Sequence, residues 1–336
     1  MAKWKWFVGI DIASATFTAA VGGSPWHVLV PPQEFSNNLE GFRAFMDWLA
    51  EHRIDRRKAI ACMEATGVYG EALAYFLVAQ KLALAMEPPL KVKRAFKTTG
   101  PKTDAVDSLQ IAEYAYRFAD ELQLWQSHGE VFEQIQALLA TREQLVRQRT
   151  ANKNALATLE RKWVKTPAAD KAHHQIIESL NKEIKAIEKE LHRLIDQDPD
   201  LRQRLGLLLT IPGVGLLLGA HMLLLTRDSQ DPRELASHLG VAPHEHTSGS
   251  SVFRQTQSRH FGPSTPRKLL YLAACSLRTH NSMFQHYFRR KTEQGKASRL
   301  VLNNIQNRLL RIICAVLRDQ QPFIPGYRSL SPLTRS

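Results

Sequence analysis

Two aspartates stand three residues apart at the start of a predicted helix, in the segment KTDAVDSLQIAEYAYRF at 102–118. Asp104 and Asp107 would project from one helical face, one turn apart. Two carboxylates that close repel each other unless a cation lies between them. The spacing therefore indicates a bound divalent metal ion. The alternative makes Asp104 a helix N-cap and Asp107 a first-turn charge that the helix dipole favours.

Two further carboxylates end predicted strands. Asp11 lies in FVGIDIA and Glu64 in IACMEATG, both among apolar residues. A carboxylate in such a place is costly unless it is paired or binds a cation. If the first and fourth strands lie side by side in a mixed sheet, these two side chains meet, and the helix carrying the two aspartates supplies the rest. Four hard oxygen ligands suit Mg²⁺, which assists chemistry on phosphodiesters.

A cluster of serines follows much later in the chain, in GVAPHEHTSGSSVFRQTQSRHFG. Ser248, Ser250 and Ser251 surround Gly249 in what we expect to be a polar loop. A serine hydroxyl can attack phosphorus and form a covalent phosphoserine, although a Ser/Gly cluster is most often simply a flexible loop. Nearby cations are suited to phosphate binding; they are Arg254, Arg259, Arg267 and Lys268.

The net charge of +13 is concentrated at one end of the chain. Residues 245–336 hold 15 Lys and Arg against 3 Asp and Glu, whereas residues 1–125 hold 14 of each and 126–244 hold 16 and 15. This asymmetry favours a polyanionic partner such as nucleic acid. A solvated basic face or an acidic protein partner remains the alternative.

Hydrophobic periodicity divides the chain into segments of different texture. We predict an α/β domain with a mixed sheet over residues 1–125 and a helical connector over 126–200. The connector is expected to be an antiparallel hairpin, a dimerising coiled coil or an internal spacer. A mostly helical domain is predicted for 201–325 and a flexible tail for 326–336. Three cysteines far apart in apolar contexts indicate a reducing, cytoplasmic setting.

An uncharged run at 205–226, LGLLLTIPGVGLLLGAHMLLLT, has 22 residues, and about 20 suffice to span a bilayer. Pro212, Gly213 and Gly215 interrupt its middle, so two short buried helices around a tight turn fit better, and we expect no membrane partner. Such a turn can present backbone N–H groups to a phosphate. Alternatively, the two glycines serve only the turn geometry.

Five segments together carry a family resemblance: GIDIA at 9–13, MEATGVY at 63–69, KTDAVDSLQIAEY at 102–114, IPGVG at 211–215 and LGVAPHEHTSGSS at 239–251. In order and spacing they resemble the DEDD transposases of bacterial insertion sequences, the group guided by a bridge RNA and related to the pilin-gene invertase. The resemblance implies a RuvC-like, ribonuclease-H-type domain, a coiled coil and a mostly α transposase domain.

The resemblance also implies roles for particular residues and partners. Asp11, Glu64, Asp104 and Asp107 correspond to the family's metal-binding tetrad, and Ser248 corresponds to its nucleophile. Donor and target double-stranded DNA, a structured guide RNA and a homodimer or homotetramer are the implied partners. The metal site of one protomer would work with the serine of another.

The predicted function is therefore an RNA-guided, Mg²⁺-dependent DNA transposase that cleaves and rejoins DNA through a phosphoserine. The first alternative is a RuvC-like nuclease, such as a junction resolvase, in which activated water attacks phosphorus. The second is a non-catalytic nucleic-acid-binding scaffold. A covalent protein–DNA link separates the first two, and metal-dependent strand cleavage excludes the third.

Overall fold

The computed structural model describes residues 3–65, 67–96, 103–127, 129–227, 229–248, 252–258 and 262–325; for 244–248 and 252–258 it describes the backbone. The chain forms two compact units, residues 1–128 and 129–336. The predicted flexible tail, 326–336, lies outside the described residues.

The first unit contains a five-stranded mixed sheet. Its strands are β1 (Trp6–Ile12), β2 (Thr16–Gly23), β3 (His27–Ser36), β4 (Ala59–Glu64) and β5 (Ala83–Glu87). Its helices are α1 (Leu39–Glu51), α2 (Glu71–Ala79), α3 (Pro89–Ala95) and α4 (Asp104–Arg117). The strand order is β3-β2-β1-β4-β5, with β1 antiparallel to β2 and parallel to β4. This confirms the predicted mixed sheet and the adjacency of the first and fourth strands.

Alternation along β1 separates two cores. Val8 and Ile10 belong to a cluster that includes residues of α1 and α2, whereas Phe7 belongs to a second cluster with residues of α4. Because successive side chains of a strand point to opposite faces, α1 and α2 cover one face of the sheet and α4 covers the other. Asp11 shares the α4 face with Phe7.

The second unit is mostly helical. Its helices are α5 (Glu130–Glu160), α6 (Pro167–Gln197), α7 (Pro199–Leu209), α8 (Leu216–Leu225), α9 (Pro232–His238), α10 (Ser264–His280), α11 (Ser282–Glu293) and α12 (Ser298–Asp319). Between α9 and α10 lie two antiparallel strands, β6 (Pro243–Ser248) and β7 (Val252–Ser258).

The long helices α5 and α6 form the predicted antiparallel hairpin. Arg142 Nε donates to Glu188 Oε1 at 2.7 Å, and Arg149 Nη1 donates to Asn181 Oδ1 at 3.0 Å. From Arg142 to Arg149 the residue numbers rise along α5, while those of their partners on α6 fall from 188 to 181. The two helices are therefore antiparallel. Ile135 of α5 is part of the hydrophobic core of the helical unit. The predicted use of this hairpin for dimerisation stays a prediction.

The uncharged run at 205–226 forms the predicted pair of short helices, α7 and α8, around a tight turn. Gly213 has φ +83°, and a Cβ there would lie 3.3 Å from the carbonyl oxygen of Ala273, so the turn itself requires glycine. Among the described helices, α12 is the one long and apolar enough to cross a membrane. Ten of its residues are buried within the protein.

One secondary-structure expectation was wrong. Ser248, expected in a polar loop, is the last residue of β6 and pairs with Val252 of β7; Gly249, Ser250 and Ser251 of the expected loop lie outside the described residues. Thr247, Val252 and Phe253 are residue types that favour strands. The polar composition of the segment concealed this pattern.

Candidate functional site

Asp11 and Glu64 come from the adjacent parallel strands β1 and β4. The last register pair joins Ile10 to Met63, so the two carboxylates are the next residues on each strand. The carboxyl ends of parallel strands meet at one edge of a sheet. The sheet topology therefore brings these two side chains to the same edge, as the sequence predicted.

A close approach between β1 and α4 adds the two aspartates. A Cβ at Gly9 would lie 2.0 Å from the carbonyl oxygen of Ser108 and 2.2 Å from the backbone nitrogen of Ala112. Gly9 therefore lets α4 lie directly on the strand. Asp11 is two residues further along the same face, opposite the first turn of α4, where Asp104 lies one turn before Ser108.

Asp104 is not the N-cap of α4. The N-cap of α4 is Thr103, whose side chain accepts a hydrogen bond from the backbone N–H of Val106 at 3.3 Å. Asp104 is the first helical residue and is exposed, and Asp107 is half-buried. The alternative that made Asp104 an N-cap is thereby replaced, whereas a favourable dipole contribution from both aspartates remains.

All four carboxylates line one cleft of about 1070 Å³. The pKa of Asp11 is raised from 3.8 to about 6, chiefly by burial and then by the negative charges of Asp107, Asp104 and Glu64, in that order. The cleft therefore concentrates negative charge. Within the described part of the chain, no three His, Cys, Asp or Glu side chains are gathered closely enough to hold a metal ion by themselves. The donor set nevertheless fits a hard divalent cation, since carboxylate oxygens are its preferred ligands.

Asn37 fixes two walls of this cleft. Its Nδ2 donates to the carbonyl oxygen of Ala13 at 2.9 Å and to that of Tyr69 at 3.0 Å. Ala13 follows Asp11, and the segment containing Tyr69 follows Glu64. One side-chain amide thus ties the loop after β1 to the loop after β4, which restricts how far the two carboxylates can separate.

Sequence reasoning did not identify Gly9, Asn37 or Lys93, which also lines the cleft. A glycine inside a strand often marks a close backbone approach, so Gly9 carried a readable signal. Asn37 acts through long-range hydrogen bonds, for which the sequence has no pattern. Lys93 places a cation beside the four carboxylates, where it can contact a phosphate.

The predicted nucleophile lies in the second unit. Ser248 is the last residue of β6, and Arg254 lies on β7 opposite His246. Ser250, Ser251 and Arg259 fall outside the described residues. The role of each of these residues stays a prediction.

The other predicted phosphate contacts lie on helices of the second unit. Arg267 and Lys268 are in the first turns of α10. Gly213 and Gly215 line a groove of about 460 Å³ at the start of α8. Most of the groove's other lining residues are leucines, an environment that does not favour phosphate, so phosphate binding at this turn stays a prediction.

Lys268 also lines a small cavity of about 30 Å³ with His221, Arg142 and Glu143. Burial lowers the pKa of His221 from 6.5 to about 4, against the opposing effect of Glu143. Glu143 accepts hydrogen bonds from Thr265 and Arg147. This group joins α5, α8 and α10 around a histidine that is neutral at physiological pH.

A mixed sheet with carboxylates at the ends of neighbouring strands, followed by a basic helical unit, fits an enzyme that acts on nucleic acid. Residues 8–161 match the DEDD transposase profile of the IS110 group, and residues 205–289 match the transposase profile of the IS116/IS110/IS902 family. The chain is also 30% identical over 330 residues to the pilin gene-inverting proteins of Moraxella bovis and Moraxella lacunata, covering 95% of this chain and 98% of each relative.

A further relative matches a smaller part of the chain. The insertion element IS900 uncharacterized 42 kDa protein of Mycobacterium paratuberculosis is 27% identical over 158 residues, which covers 45% of this chain and 39% of that protein. The chain belongs to the IS110 family of transposases. It is a DNA transposase or recombinase, and its substrate is DNA. The scaffold alternative is therefore wrong.

Proposed function

We propose that this transposase is an RNA-guided, Mg²⁺-dependent serine recombinase that cleaves and rejoins donor and target DNA through a covalent phosphoserine. The supporting observation is the cleft lined by Asp11, Glu64, Asp104 and Asp107 at the end of the sheet. This carboxylate set follows the order that the DEDD name of the matching profile denotes. A RuvC-like fold is consistent with the mixed sheet that carries it.

The four carboxylates would hold the cation. Magnesium supplies, when bound, positive charge that offsets the charge developing on a reacting phosphate. The chain's own residues orient that site: Gly9 allows the close helix approach, and Asn37 ties the two strand ends together. Lys93 lines the same cleft and would contact the phosphate directly.

Ser248 is the proposed nucleophile. Its Oγ forms a bond to phosphorus while the bond from phosphorus to the 3′ oxygen breaks, the serine proton goes to a base, and the 3′ oxygen takes up a proton. The product is a 5′-phosphoserine and a free 3′ hydroxyl. A 3′ hydroxyl from the other DNA then attacks the phosphoserine, which forms the new phosphodiester and restores the serine.

The remaining components follow from the same proposal. A structured guide RNA would base-pair with both DNAs, so specificity would lie in base pairing while the protein contacts shape and backbone. Arg254, Arg259, Arg267 and Lys268 would bind phosphates near the serine. A homodimer or homotetramer would combine the carboxylates of one protomer with the serine of another. The enzyme would act on bacterial DNA in the cytoplasm.

The test uses protein expressed with its flanking element DNA, so that any guide RNA is present. Labelled donor and target DNA are incubated with Mg²⁺, and a denaturation-resistant adduct is measured for the wild type, Ser248→Ala and Asp104→Asn. Asp120→Asn, an exposed carboxylate that is not among the cleft's lining residues, is the matched control.

We expect an adduct in the wild type and in Asp120→Asn, and none in Ser248→Ala or Asp104→Asn. Strand cleavage that persists in Ser248→Ala without any adduct would contradict the proposal. It would instead identify water as the nucleophile, as in a RuvC-like nuclease.

A further inference from the structure

Three arginines lie over two consecutive aromatic rings of α11, Tyr287 and Phe288. The guanidinium of Arg278, from α10, lies 5.1 Å from the ring centre of Phe288. Those of Arg290 and Arg308 lie 5.9 Å and 4.0 Å from the ring centre of Tyr287. Arg308 comes from α12. We call these five residues the arginine–aromatic cluster; it is assembled from three helices of the second unit.

The cluster combines a buried aromatic ring with exposed arginines. Tyr287 is 9% exposed and belongs to the hydrophobic core of the helical unit, whereas Arg290 and Arg308 are exposed. A stacked guanidinium uses its flat face against the ring and leaves its N–H edge directed to solvent. The N–H edge is the part that binds a phosphate in bidentate fashion.

The stretch of sequence that carries the cluster is almost entirely positive in charge. Residues 278–311 contain eight Lys and Arg and one acidic residue, Glu293. Among the residues that the structure describes, no ion pair joins any of the three stacked arginines to a carboxylate.

Arginines of the α5–α6 hairpin are used differently. Arg142 pairs with Glu188 at 2.7 Å, and Arg193 pairs with Glu190. These arginines serve local ion pairs, whereas like charges held together on a pair of rings repel unless an anion binds them. The cluster therefore has the chemistry of an anion site rather than of a structural ion-pair network.

We propose that the arginine–aromatic cluster is a DNA-binding surface that binds the sugar–phosphate backbone of duplex DNA and is built from residues other than the four carboxylates and Ser248. Single-stranded nucleic acid is bound by bases that stack on exposed rings. Here the arginines cover the rings and Tyr287 is buried, so the surface offers guanidinium edges to phosphates and no platform to bases. Such contacts position a duplex without reading its sequence.

The proposal rests on the transposase assignment and not on the serine mechanism. It is tested with the full chain in EDTA, where binding does not depend on metal or cleavage. The affinity for a 30-base-pair duplex without element sequence is measured as a function of KCl concentration. The variants are Arg290→Gln, Arg308→Gln and the double variant, with Arg193→Gln as matched control and Arg308→Lys as the charge-retaining variant.

Each lost phosphate contact is expected to lower the slope of log affinity against log salt by about 0.9. When affinities are compared at 0.1 M KCl after being matched at 1 M KCl, binding should be about eightfold weaker for each arginine removed. In the double variant the slope should fall by about twice the amount expected for one lost contact. Arg193→Gln and Arg308→Lys should keep the wild-type slope. Thermal unfolding midpoints of the variants are measured alongside, and we expect them to match that of the wild type.

Four results would overturn the proposal. The first is an unchanged slope in the double variant, and the second is an equal loss of slope in Arg193→Gln. The third is weakened binding of a structured RNA hairpin with duplex DNA binding unaffected, which would assign the surface to RNA. If Arg308→Gln lowers the unfolding midpoint while Arg308→Lys restores stability but not the slope, the arginine is structural and the proposal also fails.

Discussion

Replacing Asp11 by asparagine removes one of the four negative charges that line the cleft. In metal-free buffer at neutral pH we expect this change to stabilise the first unit, although it removes a proposed ligand. Burial and the neighbouring carboxylates raise the pKa of Asp11 to about 6, above its ordinary value of 3.8. Folded Asp11 thus keeps its proton over a pH range in which the unfolded chain has ionised. The contribution of Asp11 to the stability of the first unit is therefore greatest below pH 3.8 and decreases as pH rises to about 6.

The magnitude follows from the two pKa values. A difference of about 2 pKa units at about 1.36 kcal/mol each gives roughly 3 kcal/mol. Asp11 is only half-buried, so solvent and salt screen its repulsion, and we reduce the figure to about 1–1.5 kcal/mol. The Asp11→Asn variant should therefore exceed the wild type by about this amount at pH 7.5 and match it near pH 4.

The assay is urea unfolding in EDTA, followed by tryptophan fluorescence at pH 4 and pH 7.5. Five of the six tryptophans lie in residues 1–128, and the sixth, Trp163, is 97% exposed, so the signal reports the first unit. Asp120→Asn is the control and should change stability little at either pH. A lower stability of Asp11→Asn than of the wild type at pH 7.5, or an undiminished pH dependence, would refute the electrostatic reasoning.

Three further predictions concern residues that position these groups. Gly9→Ala should push α4 from β1, lower the free energy of unfolding by about 1–3 kcal/mol and raise the Mg²⁺ concentration needed for half-maximal cleavage. Gly206→Ala, in α7, is its steric control, because a Cβ there meets nothing within 4 Å and Gly206 is not a positive-φ glycine. Asn37→Ala should cost about 1 kcal/mol in urea unfolding and also raise that Mg²⁺ requirement, because both cleft walls loosen. The helical unit should lose about 3 kcal/mol between pH 6.5 and pH 4 because folded His221 resists protonation, and calorimetry of His221→Gln should show a flatter profile.

Each of these has a contrary result. An unchanged Mg²⁺ requirement in Gly9→Ala or Asn37→Ala, with stability lowered as expected, would show that the residue supports the fold and not the carboxylate site. A pH profile of His221→Gln identical to that of the wild type would show that another group controls acid unfolding.

Much of the carboxylate site was predictable from the sequence because its parts lie at ends of elements. Glu64 is the last residue of the apolar strand β4 and Asp11 the last but one of β1, and the spacing of Asp104 and Asp107 sets them on one helical face. The identity of the N-cap was not predictable, because Thr103 and Asp104 are both favoured cap residues and adjacent. The local sequence does not decide between them.

The remaining errors have physical reasons. The sequences of β6 and β7, PHEHTS and VFRQTQS, are mostly polar and lack the alternation that marks a half-buried strand, so their pairing was missed. Asn37 donates hydrogen bonds to Ala13 and Tyr69, which are 24 and 32 positions away from it in the sequence. No periodic pattern encodes such a contact. The stacking of Arg308 on Tyr287 likewise depends on how two helices meet.

The most direct test of the central claim is to identify the residue that carries DNA after the reaction. The denatured adduct is digested with nuclease and protease, and mass spectrometry locates the modified side chain. The account predicts a nucleotide joined through its 5′ phosphate to Ser248, formed only with Mg²⁺. A nucleotide on Ser250, on Ser251 or on a residue outside this segment, or cleaved DNA with no modified peptide, would contradict it.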